Sequence, residues 1–222
     1  MEKGYRKLVY FLLILGILVA FGFYKPYFAL FPNFDKNITL LVHIHATALL
    51  IWVFIIILQP ILILKRKYRI HRILGKFSYF LVPVIVITSI GVMRKQYIEY
   101  IAQKITPADS LKALVISFAE IATFSLFYLL AVIHRRNIAL HMRYIICTAL
   151  VLITPSLARV MGYWFDAGQL ESYITCFIVS DAILISLILY DRSKRKKYMP
   201  YVTALILFLI FHIGWYLAGH PY

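Results

Sequence analysis

Seven long apolar blocks, separated by short polar or basic stretches, set the pattern of this chain. They cover roughly residues 8–24, 39–64, 77–93, 111–133, 143–163, 171–190 and 200–218, each near the ~20 residues with which an α-helix crosses ~30 Å of hydrocarbon. None shows the alternating pattern of an outer-membrane barrel strand. Backbone groups in lipid must pair internally, and a helix does that within its own segment. The pattern therefore predicts an all-α fold: a polytopic bundle of seven transmembrane helices, forming a single domain over residues 1–222. Composition agrees, with 63% hydrophobic residues and a mean hydropathy of +0.83.

A net charge of +15 would point to nucleic acid in a soluble chain, so its distribution matters. With the N-terminus inside, the inner segments hold seventeen basic residues. These are Lys3, Arg6 and Lys7; Lys65, Arg66, Lys67, Arg69, Arg72 and Lys76; Arg135, Arg136 and Arg143; and Arg192, Lys194, Arg195, Lys196 and Lys197. The outer segments hold six: Lys25, Lys36, Arg94, Lys95, Lys104 and Lys112. Arg159 falls inside the fifth block. This asymmetry sets an N-inside, C-outside orientation. It implies a multi-pass protein of the inner (cytoplasmic) membrane, whose basic face meets anionic headgroups and not nucleic acid.

Local features refine the picture. The first block has the charged start and apolar core of a signal peptide but no small-x-small cleavage site after it, so it is expected to stay as the first helix. Cys147 and Cys176 fall at different expected depths, too far apart for a disulfide, and neither has metal-type spacing. Asn37-Ile38-Thr39 fits a glycosylation sequon, which has no meaning in a bacterial cell. Pro60, Pro83 and Pro155 fall inside the second, third and fifth blocks, where each removes a backbone donor and is expected to kink its helix. Tyr97 with Tyr100, Tyr163-Trp164-Phe165 and Trp215-Tyr216 are placed as an interfacial aromatic belt. A weak internal repeat relates helices two and three to helices four and five: His45 leads to YRIHRILG in one hairpin, Glu120 to HRRNIALHMRY in the other.

His45 on helix two, His71-Arg72-Ile73-Leu74-Gly75 opening helix three, and His141-Met142-Arg143 followed by Arg159 on helix five resemble a bacterial membrane-protein family of unknown function over roughly residues 40 to 165. The resemblance implies a shared fold. A looser likeness of pattern is to cytochrome b561, in which histidines on alternate helices hold one haem near each membrane face. That likeness implies a b-type haem between His71 and His141. At the outer side the chain departs from it, offering His45 on helix two but Glu120 at the matching place on helix four.

The stretch VHIHATALLIW puts two histidines at the start of a membrane helix. Consecutive helical residues turn by ~100°, so His43 and His45 point ~200° apart and cannot share one ligand. His45 is expected to reach the same depth as Glu120, Asp181 and His212, and these four form the candidate metal site. A buried carboxylate there must be protonated, bound to a metal or paired with a cation such as Arg159. For His45 and His212 three roles stay open: a hydrogen bond to a neighbouring helix, ligation of a metal or haem, or relay of protons or substrate. For His71, His134 and His141, headgroup contact or helix capping stands beside ligation.

Several chemistries lack their parts. The last helix has no lysine for retinal, and the chain has no glycine-rich phosphate loop, HExxH pair or serine elbow. The histidine spacings do not match membrane desaturases. Two functional classes remain. One is a redox protein that binds haem b or a transition metal and passes electrons, with quinone or a redox protein as partner. The alternative is a cofactor-free transporter or a membrane assembly or scaffold factor. Whether the chain is an enzyme stays open.

Overall fold

The computed structural model describes residues 5–35 and 38–219. Lys3, Lys36 and the sequon residue Asn37 lie outside the described residues. Among those described there are only helices, and seven helical stretches are long and apolar enough to cross a membrane: Arg6–Tyr24, Leu40–Leu64, Tyr68–Ala102, Val115–Ile133, Ile138–Phe165, Gln169–Ser193 and Met199–Leu217. The protein is an integral membrane protein of seven such helices. Its packing forms two compact units, one running to Val92 and the other starting at Met93.

The first unit holds α1 (Tyr5–Tyr24), a 3-10 turn at Phe28–Leu30, α2 (Leu40–Leu64) and most of α3 (Tyr68–Ala102). Pro60 and Pro83 lie inside α2 and α3, which run on through them without interruption. Hydropathy placed only residues 77–93 of α3 because its ends carry Arg, Lys, Glu and Tyr. Polar side chains end an apolar run but not a helix. Polar contacts tie α2 to α3: Gln59 Nε2 donates to the His71 carbonyl at 3.2 Å, and His45 Nδ1 lies 3.1 Å from Thr88 Oγ1.

The second unit contains α4 (Pro107–Ala113), α5 (Val115–Ile133), α6 (Ile138–Leu150), α7 (Ile153–Phe165), α8 (Gln169–Ser193) and α9 (Met199–Leu217). Thr106 caps α4: its Oγ1 accepts from the Asp109 amide at 3.2 Å and donates to Asp109 Oδ2 at 2.7 Å. Asn137 caps α6 by accepting from the Leu140 amide at 3.3 Å. The fifth membrane stretch is broken at Val151 and Leu152 into α6 and α7. Pro155 accounts for the break. It has no N–H to offer the Val151 carbonyl, and it falls in the first turn of α7, where a missing donor costs least. The broken helix is the centre of its unit, with 61% of its apolar window buried against 33% for α5, 22% for α8 and 28% for α9.

Both cysteines are buried and free. Cys147 Sγ donates to the Pro200 carbonyl at 3.7 Å and Cys176 Sγ to that of Thr154 at 3.6 Å, so each packs against a neighbouring helix. Trp215 departs from the belt assignment. It is 3% exposed in a cluster with Ile116, Cys176 and Phe177, because α9 lays it on α8, edge-on to Phe177 at 5.4 Å. Tyr216, Tyr163 and Phe165 are exposed, as a belt requires.

Candidate functional site

In the second unit α8 and α9 bring Asp181 and His212 together, with His212 Nδ1 3.2 Å from Asp181 Oδ2. The side chains are 13% (His212) and 18% (Asp181) exposed. The imidazole stacks on Phe177 at 3.9 Å between centroids and 16° between planes, and Phe208 approaches it at 5.9 Å. Two rings and a carboxylate therefore fix its orientation. Asp181 Oδ1 is buried and makes no hydrogen bond, so an accepting carboxylate oxygen remains open to a proton or water.

His212 lines a cavity of about 30 Å³, room for one or two waters. Its other polar walls are Glu120 and Thr123 of α5 and Thr154 of α7. Val151, at the helix break, lines it too. The break thus falls on the same cavity as Glu120, in the manner of discontinuous membrane helices that line polar sites. Arg159, one turn beyond Pro155, donates through its guanidinium to the Pro155 carbonyl at 2.6 Å and lies within electrostatic reach of Glu120.

Glu120, Asp181 and His212 accordingly belong to one neighbourhood, as their depths implied. His45, expected with them, belongs to the first unit. There Thr88 donates its hydroxyl hydrogen to the Val84 carbonyl at 2.7 Å, so it accepts from His45 Nδ1–H, which fixes that imidazole's tautomer. His43 faces elsewhere, as the ~200° argument requires. Its Nδ1 lies 2.8 Å from Tyr27 Oη, and Phe34 meets its ring edge-on at 4.6 Å. Burial pushes the Tyr27 phenol up, so it stays a neutral donor to His43. The two histidines thus do separate work: His43 pins the loop after α1, and His45 joins α2 to α3.

Among the remaining candidates, His71 sits in the first turn of α3 with its carbonyl held by Gln59. His141 Nδ1 donates to the Ala131 carbonyl at 2.8 Å, which turns Nε2 away from that bond. His134 makes the same bond to Leu130 at the end of α5. Among the described residues, no three His, Cys, Asp or Glu side chains converge as metal ligands.

The ion pair that the sequence reading missed joins Arg143 to Asp191, with Nε to Oδ2 at 2.6 Å and side chains 1% and 7% exposed. Arg143, one of the seventeen inner-segment cations, is thus buried. The available signal was Asp191 itself, a lone acid opening the basic run DRSKRKK at the end of an apolar block. No protein-family model, curated protein or solved structure matches this chain.

Proposed function

We propose that the protein moves protons within the membrane through Glu120, cavity water, His212 and Asp181. One observation carries this reading: an imidazole bonded to a carboxylate lines a small cavity whose lining also includes a second acid, Glu120. Intramembrane acid and histidine side chains are costly and characteristically mark proton or ion pathways. The size of the cavity sets the cargo. Room for one or two waters admits a proton or a small ion, whereas organic substrates occupy pockets of ~300 Å³ or more.

A proton taken up at the other ring nitrogen of His212 is balanced by transfer of the Nδ1 proton to Asp181 Oδ2, so a proton passes through the pair without moving a heavy atom. Glu120 supplies the second exchanging group across the cavity. Arg159 offsets the charge of its ionised form. Infrared titration of the protein in lipid tests this: carboxyl bands should change with pH, one set vanishing in Glu120→Gln and another in Asp181→Asn, the latter shifting in His212→Phe. Bands insensitive to pH, or an Asp181 band indifferent to residue 212, would remove the relay.

One observation favours a second reading, the binding of haem at His141. Its Nδ1–H is held by the Ala131 carbonyl, the kind of hydrogen bond that orients a histidine whose Nε2 would hold a haem iron. A haem would bring one-electron chemistry there. Loss of a haem absorption band in His141→Ala, with the protein still inserted, would support it. The same protein colourless when produced with ample haem would refute it.

A further inference from the structure

The Arg143–Asp191 pair also fixes which turns of the second unit share an end. Arg143 lies in the second turn of α6, just after the α5–α6 turn, and Asp191 lies in the last turn of α8, just before the α8–α9 turn. Both turns are therefore at the same end. That end carries Arg135 and Arg136 on one turn, and Arg192, Lys194, Arg195, Lys196 and Lys197 on the other. Its single acid, Asp191, is buried and neutralised by Arg143, so the seven remaining charges are all positive.

The opposite end differs. There the last turns of α3, α4 and the α7–α8 turn carry Arg94, Lys95, Lys104 and Lys112 against Glu99, Asp109, Asp166 and Glu171, four of each sign. Local pairs absorb part of it, Lys95 with Glu99 and Lys112 with Asp109, both at 2.9 Å. Ile116 of α5 packing with Cys176 of α8 and Trp215 of α9 puts the starts of α5 and α8 and the last turns of α9 at one end, and α3 and α4 lead into the start of α5 along the chain.

Backbone geometry gives a second, independent observation. Arg195 has φ 52, a left-handed conformation that glycine adopts without cost and a side chain does not. The turn is pinned there by amides of Lys194, Arg195 and Lys196 bonding to carbonyls of residues 190–192. A basic side chain thus occupies the position where glycine fits best. In the first unit the α2–α3 turn does the same: Arg66 has φ 56, among the exposed Lys65, Lys67 and Arg69 with no acid nearby.

We infer that this end of the second unit is a binding surface for the phosphate headgroups of anionic lipids. A membrane-embedded end with seven positive charges and one neutralised acid matches a negatively charged leaflet, and guanidinium groups take phosphate oxygens in pairs. The inference is independent of the proton relay.

The test uses the full-length protein in nanodiscs of phosphatidylcholine alone or with phosphatidylglycerol. Anionic lipid should raise the melting temperature by about 2–4 °C or more, and native mass spectrometry should show retained phosphatidylglycerol. Glycerol phosphate in solution should not reproduce the rise. The variant R135Q/R136Q/R192Q/R195Q should lose most of the rise and the retained lipid, with cysteine labelling of the α8–α9 turn confirming unchanged orientation. Equal melting of wild type in both nanodiscs would overturn the proposal, as would an equal rise with glycerol phosphate. Should the fourfold variant not fold, the wild-type comparison and R135Q/R136Q alone decide.

Discussion

Arg143 Nε donates to Asp191 Oδ2 at 2.6 Å with both side chains buried, which ties α6 to the last turn of α8. Arg143 also donates to the Ala139 carbonyl at 2.8 Å. Removing one member leaves the other charge buried and uncompensated, a loss of ~3–5 kcal/mol, whereas replacing both by apolar groups of similar volume is near neutral. Arg143→Met and Asp191→Leu should each lower the unfolding midpoint in a fixed detergent sharply, and the double variant should recover most of it. Single variants as stable as wild type would show that the pair contributes nothing.

The two histidines of VHIHATALLIW should behave as members of different pairs. Tyr27→Phe and His43→Ala are expected to be coupled through their hydrogen bond, worth ~1 kcal/mol, as are His45→Ala and Thr88→Val. Combining His43→Ala with His45→Ala should be nearly additive, because the two histidines bond to different residues, Tyr27 and Thr88. Double-mutant cycles on unfolding free energy check this, and strong coupling between residues 43 and 45 would contradict it.

At α4 the Thr106 hydroxyl, and secondarily Lys112, hold the Asp109 carboxyl below its ordinary 3.8. A carboxylate depressed in the folded state contributes order that is full above the unfolded value and lost as pH falls through the folded one. Helical Cα chemical shifts over residues 107–113 should therefore persist at pH 5 and decline below about pH 4. In Asp109→Asn they should be flat across that range. Because Asp109 is exposed, the effect should be local and weakened by salt.

Hydropathy located all seven spans because an apolar run of ~20 residues has few other solutions. It missed where helices continue beyond the lipid, as α3 does to Ala102, since helix ends depend on capping and not on hydrophobicity. It also ranked three prolines alike, although only the stretch around Pro155 is interrupted. Whether a helix breaks at proline depends on how its neighbours satisfy the freed carbonyl, and one chain's pattern does not contain that. Depth along a helix grouped Asp181 with His212 and Glu120, which meet in the second unit, but grouped His45 with them as well, although His45 belongs to the first unit. Arg143 with Asp191 escaped because the pairing needs the lateral arrangement of α6 and α8, which depth does not supply.

The most direct measurement of the proton relay is flux into liposomes containing the purified protein and an entrapped pH-sensitive dye, driven by a potassium diffusion potential. Wild-type protein should acidify or alkalinise the lumen faster than protein-free vesicles. Glu120→Gln and His212→Ala should each cut the excess rate by ~10²-fold or more, the range typical of a lost proton-transfer group, while remaining folded and inserted. Wild-type flux no greater than that of protein-free vesicles, or full flux in Glu120→Gln, would contradict the account.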